Sequence, residues 1–120
     1  MEILIVDDEP QVAEVLARSL AREGHSTQIA NSGEEALRML GTSEPDAVFL
    51  DVSMPGMNGL DVLTEVKRLR PSLPVVVITG HATADEVAEV KRLGAVDVIA
   101  KPAPLTHYQQ ALRRLDSPRT

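Results

Sequence analysis

Cysteine and tryptophan are absent from the sequence, and only one phenylalanine and one tyrosine occur in 120 residues. Without thiols there is no disulfide, no thiolate metal site and no cysteine nucleophile, a composition compatible with a reducing cytoplasm. With aromatics at 2%, the core must be aliphatic, built from Val, Leu, Ile and Ala. No apolar run approaches membrane-spanning length. The opening Met1-Glu2-Ile3-Leu4-Ile5-Val6 lacks a basic n-region and runs into Asp7, so it is not expected to act as a signal peptide. Basic charge is scarce as well. A formal net charge of −6 and a pI near 5.0 argue against a broad basic face that grips nucleic acid. Any DNA contact would fall to another domain or a partner.

What is present is a regular alternation. The length suits one domain with its own core, and short aliphatic runs alternate with helical patterns. Ile3 to Val6 reads as a first strand. Val12, Val15, Leu16, Ser19 and Leu20 then follow helical spacing, with Pro10 suited to the first turn and Gly24 as a stop. Thr27 to Ala30 is a weak second strand, followed by a capping box, Ser32 with Glu35, opening a helix that carries Ala36, Leu37 and Leu40 and closes at Gly41. Ala47 to Leu50 is apolar, too short for a helix and bounded by Pro45-Asp46 and Asp51, which suits a strand covered on both faces. The Met54-Pro55-Gly56-Met57-Asn58-Gly59 stretch after it is irregular by chemistry. Asn58 or Gly59 starts a helix with Leu60, Leu63, Val66 and Leu69 on one side, ended by Pro71 and Pro74.

Val75 to Ile78 is the fourth strand and delivers Thr79-Gly80-His81 to a loop. Thr83 with Glu86 is a second capping box, and the helix behind it has a small, ragged stripe of Ala84, Val87, Ala88 and Val90 that stops at Gly94. Such a helix is expected to be lightly anchored. Val96 to Ala100 is the fifth strand and delivers Lys101-Pro102. Leu105, Tyr108, Ala111, Leu112 and Leu115 mark a last helix, and Ser117-Pro118-Arg119-Thr120 a tail or the start of a linker. Five strands alternating with five helices imply right-handed crossovers, hence an α/β doubly wound parallel sheet with helices on both faces.

Ligands of such sheets bind at the carboxyl ends of the strands. There the first strand presents Asp7-Asp8-Glu9, the third Asp51, the fourth Thr79 and the fifth Lys101. Singly each has a bland explanation: a charge favourable to a helix N-terminus, a turn residue, a solvated lysine. Together they bring carboxylates, a hydroxyl and one lysine from four separate strand ends. Carboxylates with few nitrogens and no sulfur are hard ligands, suited to Mg²⁺ or Mn²⁺. Three carboxylates and one lysine leave about −2, and each close carboxylate pair repels by ~4 kcal/mol at an effective dielectric of about 20. A divalent cation would cancel that, and Asp51 could then attack phosphorus as an oxygen nucleophile while the metal and Lys101 neutralise the transferring group.

Val6-Asp7-Asp8-Glu9, Leu50-Asp51-Val52-Ser53-Met54-Pro55 with Gly59, Val77-Ile78-Thr79-Gly80 and Gly94-Ala95-Val96-Asp97-Val98-Ile99-Ala100-Lys101-Pro102 resemble, in order and spacing, the receiver domain of two-component response regulators. The resemblance covers nearly the whole chain, with the receiver over 1–116 and the tail over 117–120. It implies the flavodoxin-like strand order 2-1-3-4-5 and a cytoplasmic phosphorylation switch rather than an enzyme with an external substrate. Asp51 would take a phosphoryl group from a phosphohistidine on a sensor histidine kinase or histidine phosphotransfer protein. Asp8, Asp51 and the Ser53 backbone carbonyl would bind Mg²⁺, with Asp7 holding a coordinated water. Thr79 and Lys101 would bond phosphoryl oxygens, and Ser53 and His81 would tune the lifetime of the phosphoryl group. The resemblance also implies a cis Lys101-Pro102 bond, although X-Pro bonds are cis only about 5% of the time in folded proteins.

One position departs from the pattern: where many receivers carry Tyr or Phe in the fifth strand, Val98 stands here. A β-branched side chain is stiff and too short to swing between a buried slot and solvent, so coupling is expected to run from Thr79 through Gly80 and His81 into the fourth helix. The output surface would be the fourth helix, fifth strand and fifth helix, meeting an output domain or a second receiver. The exposed side of the first helix, near Gln11 and Glu14, would receive the kinase. Two rival readings remain at this point. An aspartyl phosphatase or phosphotransferase of the haloacid dehalogenase type would place its nucleophile after the first strand in an Asp-x-Asp pattern and want a cap domain. A flavodoxin-like binding module would want a Ser/Thr/Gly-rich loop where Asp7-Asp8-Glu9-Pro10 would repel phosphate.

Overall fold

The computed structural model describes residues 1–53 and 58–116. The irregular Met54–Met57 stretch and the 117–120 tail lie outside the described residues. Among the described residues the elements run β1 Glu2–Val6, α1 Pro10–Arg22, β2 Ser26–Ala30, α2 Gly33–Leu40, β3 Ala47–Asp51, α3 Gly59–Leu69, β4 Val75–Thr79, α4 Ala84–Arg92, β5 Asp97–Ala100 and α5 Leu105–Asp116. Every strand pairing is parallel, in the order β2-β1-β3-β4-β5. None of the described helices is long and apolar enough to cross a membrane.

The two-residue period of the strands divides the core into two layers. Leu4, Val6, Val48, Leu50, Val75 and Val77 pack with Ala36 and Leu40 of α2, Val62, Leu63 and Val66 of α3, and Val90 of α4. Ile3, Ile5, Ala47, Phe49, Val76 and Ile78 pack with Ala13, Leu16 and Leu20 of α1 and with Tyr108, Ala111 and Leu112 of α5. Cover on both faces is why β3 and β4 are buried at every position and read as unbroken apolar runs. The sparse aromatics are concentrated in the second layer, where Phe49 and Tyr108 meet edge to face with centroids 5.5 Å apart.

Local chemistry sets the element ends. Ser32 Oγ accepts the Glu35 N–H at 3.1 Å, while the Glu35 carboxylate accepts from the Asn31 N–H at 3.0 Å, one residue before the cap. Asn58 Oδ1 accepts from the N–H groups of Leu60 and Asp61, so Asn58 is the cap of α3 and Gly59 its first residue. A side chain at Gly59 would bring its Cβ to 2.5 Å from Val52 Cα, so the chain leaving β3 can pass this close to α3 only beside a glycine.

Helix rotation differs from the expected stripes. On α1 the buried line is Ala13, Leu16 and Leu20, while Val12 and Val15 are 44% and 55% exposed. Small Ala13 lets the helix axis approach the sheet, and the line it starts at three- and four-residue steps leaves both valines on the flank. Val62 replaces Leu69 in the buried stripe of α3, and Leu69 and Leu105 are exposed at the ends of their helices. β5 starts at Asp97 rather than Val96, whose side chain is exposed although its N–H reaches the Val75 carbonyl at 2.9 Å. Helix α4 buries only Val90. One buried valine contributes about 1.5–3 kcal/mol, against three buried side chains on α3, so α4 is the lightly anchored helix its stripe predicts.

Candidate functional site

Strand register brings the site residues to one edge of the sheet. Val6 pairs with Leu50, Asp51 with Ile78, and Thr79 with Ala100, so Asp7, Asp51, Thr79 and Lys101 all lie at the carboxyl ends. Side-chain parity then separates them. Asp7, Asp51 and Lys101 each stand two residues beyond a member of the α1/α5 layer, Ile5, Phe49 and Ile99. Thr79 stands two beyond Val77, in the layer under α3 and α4. The acids and the lysine thus converge on one side, and the hydroxyl is turned toward α4.

Asp7, Asp51 and Thr79 are 4%, 2% and 1% exposed. Buried polar groups need partners, and each has them. Asp51 Oδ1 accepts the Ser53 N–H at 2.8 Å, and Oδ2 accepts from Lys101 Nζ, which reaches over the end of β4. Asp7 Oδ1 accepts the Glu9 N–H at 2.9 Å, and the Asp7 carbonyl accepts from Asn31 Nδ2 at 3.1 Å. Burial pushes the Asp7 carboxyl above its ordinary value; the Glu9 N–H works against that rise and the neighbouring Asp51 charge adds to it. At Lys101 burial disfavours the charge, yet the hydrogen bond and charge of Asp51 outweigh it and hold the ammonium above its ordinary value.

Carboxylate oxygens of Asp7, Asp8 and Asp51 lie within 4.8 Å of one another, with Asp8 exposed to solvent. An all-oxygen donor set open on one side fits a hard divalent cation such as Mg²⁺ or Mn²⁺. Thr79 is at the rim but engaged elsewhere: its hydroxyl donates to the Glu86 carboxylate and accepts the His81 N–H at 3.0 Å. Ser53 Oγ accepts the Gly80 N–H at 2.8 Å, linking the loops that follow β3 and β4, and the His81 side chain is exposed. Val98 is half-buried against the α3/α4 layer. The Lys101-Pro102 bond is cis. Sequence reasoning missed the second duty of Glu86. Its N–H is capped by Thr83 Oγ1 at 3.1 Å as expected, but its carboxylate goes to Thr79 instead of returning to the cap.

The family model of the response regulator receiver domain matches residues 3–113. The chain belongs to the response regulator receiver domain family. Among its relatives, this receiver domain is 38% identical over 115 residues to response regulator MprA of Mycobacterium avium, covering 96% of this chain and 50% of that protein. It therefore spans about half the length of the curated MprA relatives it matches. The receiver domain of NtrX from Brucella abortus is similar in structure with a TM-score of 0.86 at 37% identity, over 97% of this chain and 99% of that one. A response regulator protein from Burkholderia pseudomallei, solved with a phosphorylated aspartic acid, a calcium ion and citrate, has a TM-score of 0.84 at 27% identity, over 98% of this chain and 75% of that one. Membership sets aside the dehalogenase and flavodoxin readings. Receiver domains are signalling switches of two-component systems, and the observed strand order is the receiver order.

Proposed function

We propose that Asp51 accepts a phosphoryl group from a phosphohistidine on a partner kinase or histidine phosphotransfer protein, and that this receiver passes the change to the α4-β5-α5 surface. The observation that carries the reading is the state of Asp51: buried, held through one oxygen by the Ser53 N–H and paired through the other with Lys101, beside two further acids. The phosphorylated aspartic acid of the Burkholderia pseudomallei relative supports it.

In the transfer an Asp51 oxygen attacks phosphorus, the new P–O bond forms as the P–N bond breaks, and the electron pair returns to the imidazole nitrogen. A bound Mg²⁺ or Mn²⁺, held by Asp8, Asp51 and the Ser53 carbonyl with Asp7 acting through water, would supply neutralising charge to the phosphoryl oxygens. Lys101 supplies a second positive charge and the Thr79 hydroxyl a hydrogen bond. Ser53 and His81 flank the group and set its lifetime. Residues 1–116 are the receiver module in this reading, with 117–120 a tail or linker, and the partner at α4-β5-α5 is an output domain or a second receiver. Val98 takes little part. Incubation with acetyl phosphate and Mg²⁺ tests the assignment by intact mass: the wild-type chain gains one phosphoryl group and Asp51→Asn gains none. Equal labelling of the variant would remove Asp51 from the role.

A further inference from the structure

The two capping boxes of this chain are alike in sequence and different in use. Both cap hydroxyls, Ser32 and Thr83, accept the N–H of the glutamate three residues on. Glu35 then sends its carboxylate back to the chain ahead of its own helix, to the Asn31 N–H. Glu86 does not. Its carboxylate leaves α4 and accepts a hydrogen bond from the Thr79 hydroxyl at the end of β4. Helix α4 needs this tie more than its neighbours would, because Val90 is its only buried side chain.

Thr79 has one hydroxyl proton to give. While Glu86 holds it, that proton is unavailable to a phosphoryl oxygen on Asp51, which lies on the neighbouring strand and on the opposite side-chain parity. The donor is 1% exposed, so water offers it no ready substitute, and a hydrogen bond to a carboxylate is of the stronger, charge-assisted kind. From this juxtaposition we infer that Glu86 is a positioning residue: a latch that competes with the phosphoryl group for the Thr79 hydroxyl and keeps α4 docked until phosphorylation wins. The inference rests on the assignment of Asp51 as acceptor and names the contact that phosphorylation must break. Two states follow. In one, Thr79 and Glu86 are joined and α4 is held; in the other, Thr79 serves the phosphoryl group and the first turn of α4 is released. Thr83 continues to cap the Glu86 N–H in both, so the helix survives while its attachment loosens.

Removing the latch therefore strengthens binding of a phosphoryl mimic, the reverse of what damage to the site does. Glu86→Ala keeps the backbone cap and introduces a better helix former, and Glu86→Gln keeps an oxygen that accepts from Thr79 without the charge. Beryllofluoride with Mg²⁺ is titrated into the wild-type chain and both variants, and amide exchange over residues 80–95 is followed in the free and bound forms. Glu86→Ala is expected to bind about tenfold or more tightly and to exchange faster in α4 before any mimic is added, with Glu86→Gln between it and wild type. In a Thr79→Val background, Glu86→Ala is expected to change α4 exchange no further, because the hydroxyl through which it acts is gone. Unchanged or weaker beryllofluoride binding by Glu86→Ala overturns the latch, as does an undiminished effect on exchange in the Thr79→Val background. Failure of the wild-type chain itself to bind beryllofluoride instead sinks the Asp51 assignment and the competition with it, while exchange in the free protein still judges the Thr79–Glu86 tie.

Discussion

Lys101 and Asp51 meet across an intervening strand: β4 lies between their own strands, and the lysine passes over its end to donate to the carboxylate. The two residues are 50 apart in the chain. Asp51 is almost fully buried and Lys101 about a quarter exposed, so the aspartate depends on the pair more than the lysine does.

Lys101→Met in metal-free protein is expected to destabilise the fold by about 1–3 kcal/mol, the cost of leaving a buried charged group without its partner. The double variant Lys101→Met with Asp51→Asn should recover most of that loss. Urea unfolding of the four proteins in chelator gives the coupling between the two residues; strictly additive effects would show that the pair contributes nothing.

Asp7 gives a pH dependence with a definite sign. Its folded-state pKa lies above the ordinary 3.8, so the folded chain binds that proton more tightly than the unfolded chain does. Stability linked to this group is present at low pH and lost as pH rises from about 3.8 through the raised value. Asp7→Asn, whose amide oxygen still accepts the Glu9 N–H, should therefore gain stability relative to wild type across that window and hold the gain above it. Melting curves in chelator from pH 3.5 to pH 7 check this, and a difference that is flat with pH would contradict it.

Divalent cations should raise the melting temperature, since the cluster of Asp7, Asp8 and Asp51 forms only in the folded chain. At a concentration about 100 times the dissociation constant the expected gain is about 2.7 kcal/mol. Asp8→Ala removes an exposed member, so it should leave the metal-free protein equally or more stable while abolishing the Mg²⁺ response. A full response in that variant would count against the cluster as the metal site.

Val12 and Val15, turned away from the core, lie on the face of α1 where a partner kinase is expected to dock. Val12, Val15 and Leu105 are exposed, and a cleft beside Asp7 is lined by Gln11, Val12, Val15 and Leu105 together with Tyr108. Replacing Val15 by Asp, which loses an apolar contact, or altering Gln11 or Glu14, which loses a polar one, should slow transfer from a kinase phosphohistidine about tenfold or more while leaving acetyl phosphate labelling unchanged. Slowing of both reactions would indicate damage to the fold.

Much of this protein is determined locally. Runs such as Val75 to Ile78 become strands because four β-branched residues between a proline and a turn have few other options, and Ser32, Asn58 and Thr83 start helices because their side chains satisfy backbone donors within reach of themselves. The acids and Lys101 were legible as strand-end residues for the same reason: a charged residue that follows an apolar run marks the carboxyl end of the strand. Tertiary structure decided what depends on rotation and on loop path. Whether Ala13 or Val12 faces the sheet turns on one helical step of α1, and only packing against Ile3, Ile5 and Phe49 selects it, since both residues are apolar. Glu86 finds Thr79 because the loop from Gly80 to Thr83, pinned by Ser53 at one end and by the helix cap at the other, returns the chain onto its own strand. No periodicity encodes a contact of that kind, because its geometry is set by Ser53 in the loop after a different strand, β3.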